Sequence, residues 1–187
     1  MPDYTSPDGY QRSTGVFFTA LHHRAARHAS AAAPRGGAAL DVGCGPGRLV
    51  RLLARRRPDL RVEGVDVTPQ MVDHAARLLA DAGLADRTRV IRGDAAALPF
   101  ADASFDVVTS TMSFHHWQPL AGSVHEVLRV LRPGGSAYLY DVGAAPFDGV
   151  RRAVADVPGV AFDRVLVRGY VLPSLLYRGA RLRAPAG

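Results

Sequence analysis

The sequence predicts an α/β fold, a mostly parallel sheet with helices on both faces, and three observations carry that reading. Short apolar runs alternate with stretches of helical periodicity, the runs stop near acidic or hydroxyl residues, and the first run breaks into a glycine-rich loop. Such alternation gives a parallel sheet covered on both sides, with ligands bound beyond the carboxyl ends of the strands. Asp41, Asp66, Asp94 and Ser110 all fall at those ends.

The stretch Val16 to Ala33 predicts an amphipathic helix from Phe17, Leu21 and the surrounding alanines. His22, His23 and His28 on it read as a solvated or substrate-facing surface rather than as metal ligands, because no matched cysteine or carboxylate set accompanies them. The segment Tyr4 to Phe18 mixes aromatic residues with Gly9 and Gly15, and reads either as a lid over a ligand or as an unanchored terminus.

Ala39-Leu40-Asp41-Val42-Gly43-Cys44-Gly45-Pro46-Gly47-Arg48-Leu49 reads as a buried strand, a glycine loop and the opening of a helix. Alternate glycines let the backbone turn with positive φ and approach a ligand closely. Pro46 presets φ for the first helical turn. The loop is not a dinucleotide fingerprint, since the sixth position from Gly43 is Arg48, and no Gly-Lys-Ser/Thr follows for a phosphate loop. Asp41 supplies an acceptor where a phosphate site would avoid one, which suits a cofactor carrying an amino group and a sulfonium.

The later elements follow in order. Leu49, Leu52 and Leu53 share a helical face after the loop. Arg61-Val62-Glu63-Gly64-Val65-Asp66-Val67 is a second strand, and Asp66 is placed to take both ribose hydroxyls of a nucleoside or to cap the helix that starts near Pro69. Met71, Val72, Ala75, Ala76 and Leu79 form that helix's apolar face. Thr88-Arg89-Val90-Ile91-Arg92 is the third strand, running into Gly93-Asp94-Ala95, where Asp94 also suits a turn that binds its own backbone. Phe105 to Ser110 is the fourth strand, and Leu120, Val124, Val127, Leu128 and Leu131 mark the next helix, which Leu131-Arg132-Pro133-Gly134-Gly135 stops. Ser136 to Tyr140 is the fifth strand, ending at Asp141. Val160 to Tyr170 and Ser174 to Leu182 read as an antiparallel hairpin joined by a turn that contains a proline.

Composition bounds the rest. At 187 residues the chain suits one domain, 48% hydrophobic residues argue against disorder, and no apolar run approaches the length of a membrane span. The single Cys44 and the absence of a signal pattern predict a cytoplasmic protein. The net charge of +6 would suggest a polyanionic partner, but every one of the 23 basic residues is arginine. With no lysine or asparagine and one isoleucine, that skew reflects a GC-rich genome, so nucleic acid is not the expected partner. Arg55-Arg56-Arg57 reads as a basic helix end opposing the dipole. Without lysine, neither a Schiff base nor a lysine nucleophile is available.

The acid followed by Gly-x-Gly-x-Gly, with the other motifs in order over about residues 38–142, resembles the class I S-adenosylmethionine-dependent methyltransferases of the small, mostly bacterial type. The resemblance implies a Rossmann-like three-layer sandwich whose seven-stranded, mostly parallel sheet is closed by the C-terminal hairpin. It implies one domain over 1–187: a helical lid or cap at 1–33, a cofactor-binding core at 38–142 and a hairpin at 160–184. S-adenosyl-L-methionine is then the cofactor, bound by Asp41, Gly43, Gly45, Asp66, Val67, Met71, Gly93, Asp94, Ala95 and Ser110. Within that set, Asp94 accepts from the adenine amine and the Ala95 amide donates to the ring. No metal is implied.

On the acceptor side, His115, His116 and Asp141 are the candidate bases, His116 first, because His-His-Trp resembles the family's segment bordering the methyl group. The structural alternative is a histidine donating to a loop carbonyl and an aspartate capping the next segment. The fourth strand lacks the Asn/Asp-Pro-Pro-Tyr/Phe element of nucleic-acid amino methyltransferases, and no Pro-Cys pair occurs, so the resemblance is closest to enzymes of small molecules such as quinone precursors, sterols and natural products. Only about 18 residues, Val142 to Gly159, join the fifth and sixth strands, leaving the pocket open, or closed by the N-terminal segment or by the second subunit of a homodimer. The expected activity is methyl transfer to a small organic acceptor. The alternatives are a non-catalytic sensor or silent subunit that holds the nucleoside and, disfavoured by Arg48, a nicotinamide oxidoreductase.

Overall fold

The computed structural model describes residues 7–165 and 177–186, with side chains from residue 19 onward and, in the last strand, from 178. The strands are β1 (Ala38–Val42), β2 (Arg61–Asp66), β3 (Thr88–Arg92), β4 (Phe105–Thr111), β5 (Leu131–Val142), β6 (Ala161–Val165) and β7 (Tyr177–Arg183). They form one sheet of order β3-β2-β1-β4-β5-β7-β6. β7 runs antiparallel to both β5 and β6, and the other neighbours are parallel, as expected of the fold class. The turn between β6 and β7 lies outside the described residues.

The helices are α1 (Pro7–Ala32), α2 (Arg48–Arg56), α3 (Pro69–Asp81), α4 (Leu120–Val130) and α5 (Phe147–Ala153). They divide between the two faces of the sheet because successive strand residues point to opposite sides. Leu21, Ala25 and Ala29 of α1, Leu49 and Leu53 of α2 and Leu79 of α3 pack with Val62, Val107, Tyr138 and Tyr140. Val124, Val127 and Val130 of α4 and Val150 of α5 pack on the other face with Val42, Val65, Val108, Leu139 and Leu182. All five residues of β1 are buried, so the strand that leads into the glycine loop lies at the centre of the sheet.

Helix α1 begins nearer the start of the chain than its apolar periodicity implies. From residue 19 onward it is a layer of the fold, its alanines lying close on the sheet. No side chain described on it lines the cavity beyond the strand ends. The reading of Tyr4 to Phe18 as a lid concerns side chains outside the described residues. The surface reading of the histidines is corrected for two of them: His22 is buried, and His28 Nδ1 is hydrogen-bonded to the Tyr140 hydroxyl. Burial first, then the charges of Arg24, Arg27 and Arg181, hold the His28 imidazole below its usual range. Among the described residues no cluster could hold a metal ion, and no helix is long and apolar enough to cross a membrane.

Two arginines brace the frame around the site. Arg57 donates to the carbonyls of Ser30, Ala33 and Pro34 and forks onto Asp59, so the basic end of α2 closes the C-terminus of α1. Arg129 of α4 donates to the carbonyls of Leu98 and Phe100 and to Asp102 and Glu126. It thereby holds the segment that joins β3 to β4 without a helix.

Candidate cofactor and acceptor site

The glycine loop turns because Gly43, Gly45 and Gly47 adopt φ of 70°, 51° and 80°. Space also matters at two of them: a Cβ on Gly43 would lie 1.8 Å from Ser113 Oγ, and one on Gly47 2.9 Å from Ala75 Cβ. At Gly47 the loop therefore packs closely against α3. Gly43 and Cys44 donate their N–H groups to the Val65 carbonyl at 2.8 and 3.0 Å, tying the loop to the end of β2.

Asp66 joins the loop to the next helix. One carboxylate oxygen accepts from Gly45 N at 2.8 Å and the other from Thr68 N at 2.9 Å. A carboxylate has about four acceptor positions, so these two bonds leave capacity for a pair of hydroxyls. Asp94 Oδ1 accepts from Ala96 N at 2.9 Å, which is the self-binding turn, and the residue stays exposed. Gly93 is required by packing, since a Cβ there would lie 2.7 Å from Val65 Cγ2.

These strand ends enclose a cavity of about 680 Å³. Gly43, Gly45, Asp66, Val67, Met71, Gly93, Asp94 and Ala95, selected from sequence as cofactor-binding candidates, line it. Val67, 62% exposed, is the large apolar side chain left open among the described residues, and it stands at the cavity wall. Asp41 and Ser110 were expected in the same set and do not line the cavity, because both side chains are buried within the sheet layers. Asp41 Oδ1 accepts from Thr109 Oγ1 at 2.9 Å. Burial pushes its carboxyl up to about 7 against that hydrogen bond, and the nearby Asp66 charge adds to the rise. Cys44 is buried too, and its thiol is pushed well above its usual range, so the loop carries no thiolate nucleophile at neutral pH.

Met112, Ser113, His115, His116, Trp117 and Gln118 form another part of the wall. His115 Nδ1 is 2.8 Å from each oxygen of Asp141, whose side chain is fully buried, and the His115 backbone N–H also reaches that carboxylate at 3.3 Å. Val142 N donates to the same group at 2.8 Å. In the tautomer that donates from Nδ1 to this carboxylate, Nε2 carries the ring's lone pair toward the cavity side. The His116 ring lies against His115, with centroids 3.9 Å apart. Burial, then the charge of His115, lower its pKa, and Asp141 opposes them.

Sequence reasoning reached Trp117 through the His-His-Trp resemblance but missed Thr68, Met112, Ser113 and Gln118 as wall residues. Their signal was position alone, within a few residues of the ends of β2 and β4. Met112 takes φ of 57°, a left-handed backbone that composition does not announce in a methionine.

Compared with known proteins, residues 39–135 match the family model described as a methyltransferase domain. The chain belongs to this methyltransferase family. A demethylmenaquinone methyltransferase of Thermus thermophilus is 35% identical over 127 residues, 68% of this chain and 55% of that protein. One of Roseiflexus castenholzii is 38% identical over 136 residues, 72% of this chain and 56% of that protein. The chain thus spans about half the length of these curated relatives. An S-adenosylmethionine-dependent methyltransferase of Aquifex aeolicus has a TM-score of 0.76 at 20% identity, covering 95% of this chain and 98% of that one, which is a likeness of fold.

The family's cofactor is S-adenosyl-L-methionine, and the donor set of this cavity fits it. Two carboxylates and glycine backbone face the cavity, and none of the chain's arginines is among its described lining residues. The two carboxylates can accept from the hydroxyl and amino groups of a nucleoside and attract a positively charged one.

Proposed function

We propose that this chain is an S-adenosylmethionine-dependent methyltransferase of a small organic acceptor, with His115 as the general base. The observation that carries the proposal is the Asp141–His115 pair on the wall of the same cavity that the glycine loop, Asp66 and Asp94 line. Among the described residues, hydrogen bonds orient His115 and not His116, which reverses the preference drawn from sequence. Asp141 is its positioning residue.

In this reading Asp66 accepts from the ribose hydroxyls and Asp94 from the adenine amine, while Val67 and Met71 offer apolar surface to the nucleoside. Gly43, Gly45, Gly93 and Ala95 bring backbone close, and Asp41 attracts positive charge from behind the wall. Ser110 has no contact role. Bound there, the cofactor supplies an electrophilic methyl group. The chain's own residues hold the acceptor in line, exclude water and take up a proton. His115 Nε2 accepts it, and the buried Asp141 carboxylate stabilises the resulting imidazolium.

Residues 38–142 are taken as the cofactor-binding core and 160–184 as the closing hairpin of a single methyltransferase domain. The lone buried Cys44 supports a cytoplasmic location. A homodimer would cover the open acceptor end, and no nucleic acid is involved. Calorimetric titration with S-adenosylmethionine, S-adenosylhomocysteine and NAD tests the proposal: micromolar binding of the first two supports it, and binding of NAD alone rejects it.

A further inference from the structure

We infer that the chain carries a second ligand site, for a phosphate group, in the corner that α1 makes with the β7–β6 end of the sheet. It uses none of the described residues that line the cofactor cavity and does not depend on the methyltransferase reading.

The corner has a wall and a floor. α1 packs over β4 and β5, and β7 and β6 continue the sheet past it. Arg24, Arg27 and His28 stand on one side of α1, at the spacings of three and four residues that bring helical side chains together. Tyr138 of β5, Arg181 of β7 and Asp163 of β6 are register partners across neighbouring strands, so their side chains share a face of the sheet. That face is the one under α1, because Tyr138 and Tyr140 pack with the helix. Arg183, two positions beyond Arg181 on β7, points the same way.

Wall and floor converge on one point. The His28 ring centroid lies 5.6 Å from that of Tyr138 and 6.0 Å from that of Tyr140, and its Nδ1 is bonded to the Tyr140 hydroxyl. The charges of Arg24, Arg27 and Arg181 all reach both that ring and that hydroxyl. Guanidiniums from opposite ends of the chain are therefore gathered within electrostatic range of one another.

The carboxylates of this corner do not match its guanidiniums. Arg181 and Arg183 approach the same Oδ2 of Asp163, at 2.7 and 3.2 Å, so one carboxylate serves both. Arg27 is exposed and has no ion pair among the described residues. Gathering like charges costs repulsion that a bound anion would turn into attraction. A phosphate group suits the corner because it carries about two negative charges at neutral pH and presents several oxygens to the planar guanidinium fork.

Calorimetric titration of the full chain at constant ionic strength tests the inference, with inorganic phosphate and glycerol phosphate as two arms. At least one should bind with a Kd below about 1 mM, and the tighter arm distinguishes a free anion from a phosphate carried on an organic molecule. Arg27→Ala should weaken binding by about fivefold or more and Arg27→Glu should abolish it, whereas Arg55→Ala, at an exposed position near the end of α2, should stay within about twofold of the parent. Thermal melts check that these surface variants keep the fold. The His28 ring, held below its usual range by burial first and then by Arg24, Arg27 and Arg181, and faced from β5 by Tyr138 and Tyr140, should titrate at higher pH once phosphate is bound. Its NMR signal, assigned with His28→Gln, reads this. Failure of both anions to bind overturns the inference, and so does an equal loss in Arg27→Ala and Arg55→Ala, which would mark attraction to basic surface in general. Displacement of phosphate by S-adenosylhomocysteine would place the anion in the cofactor cavity and overturns it as well.

Discussion

Nδ1 of His115 lies 2.8 Å from both oxygens of the buried Asp141 carboxylate, and that contact separates two neighbouring histidines that look equivalent in the sequence. A ring held at one nitrogen presents the other in a defined direction, which a general base requires. His116 has ring contact with its neighbour but no such anchor among the described residues.

Replacing the anchored ring should therefore remove catalysis and spare binding. His115→Gln is expected to lower kcat by about 100-fold or more, the scale of a lost general base, with S-adenosylhomocysteine affinity within about twofold. His116→Gln should cost much less. Steady-state kinetics beside calorimetry separate the two variants, and equal losses of kcat in both would reject the assignment.

Asp66→Ala should weaken S-adenosylmethionine binding by about 1.5–3 kcal/mol, the scale of hydrogen bonds to a charged group. Because its oxygens also hold Gly45 and Thr68, the variant should melt at lower temperature than the parent. Unchanged affinity by calorimetry would remove Asp66 from the nucleoside site.

The Asp41 carboxyl, pushed up to about 7 from 3.8 by burial, makes stability depend on pH. A carboxyl with a raised folded pKa is harmless to stability below its unfolded value. It destabilises increasingly as pH rises from about 4 to about 7, and fully above that. Asp41→Asn keeps an acceptor for Thr109 and removes the charge. Urea unfolding should find it more stable than the parent by on the order of a few kcal/mol at about pH 8, the difference vanishing near pH 4. The same variant should bind S-adenosylmethionine more weakly, and the parent's affinity should rise with pH through about 7. A variant no more stable than its parent at about pH 8 would show that the charge is compensated.

Arg57→Ala should destabilise the fold by about 1–3 kcal/mol, because its guanidinium serves three carbonyls at the end of α1 as well as Asp59. Arg57→Lys should recover only part of that, since an ammonium cannot reproduce the fork. Thermal melts of both variants, with cofactor affinity as a control, check this.

Much of the site was legible because its residues sit where the chain changes state. Gly43, Gly45, Asp66, Gly93 and Asp94 each follow a recognisable strand, and such ends converge in a parallel sheet. Asp41 and Ser110 obeyed the same rule and yet lie off the wall, because a position at a strand's end does not say which way its side chain points. His22 and His28 misled in another way: histidine is polar enough to read as surface, while α1 is laid on the sheet, where His28 meets a hydrogen-bond partner, the Tyr140 hydroxyl of β5, that only folding brings near.

The sequence by itself determined the α/β alternation, the glycine turn and the acids at the strand ends, since periodicity and backbone preference act over a few neighbouring residues. Tertiary structure alone decided that Asp141 anchors His115 across 26 positions of chain, that Arg57 closes a helix it does not belong to, and that a basic chain presents a cavity wall without a described arginine. Those outcomes depend on contacts between distant segments, whose distances and directions are set only when the layers pack.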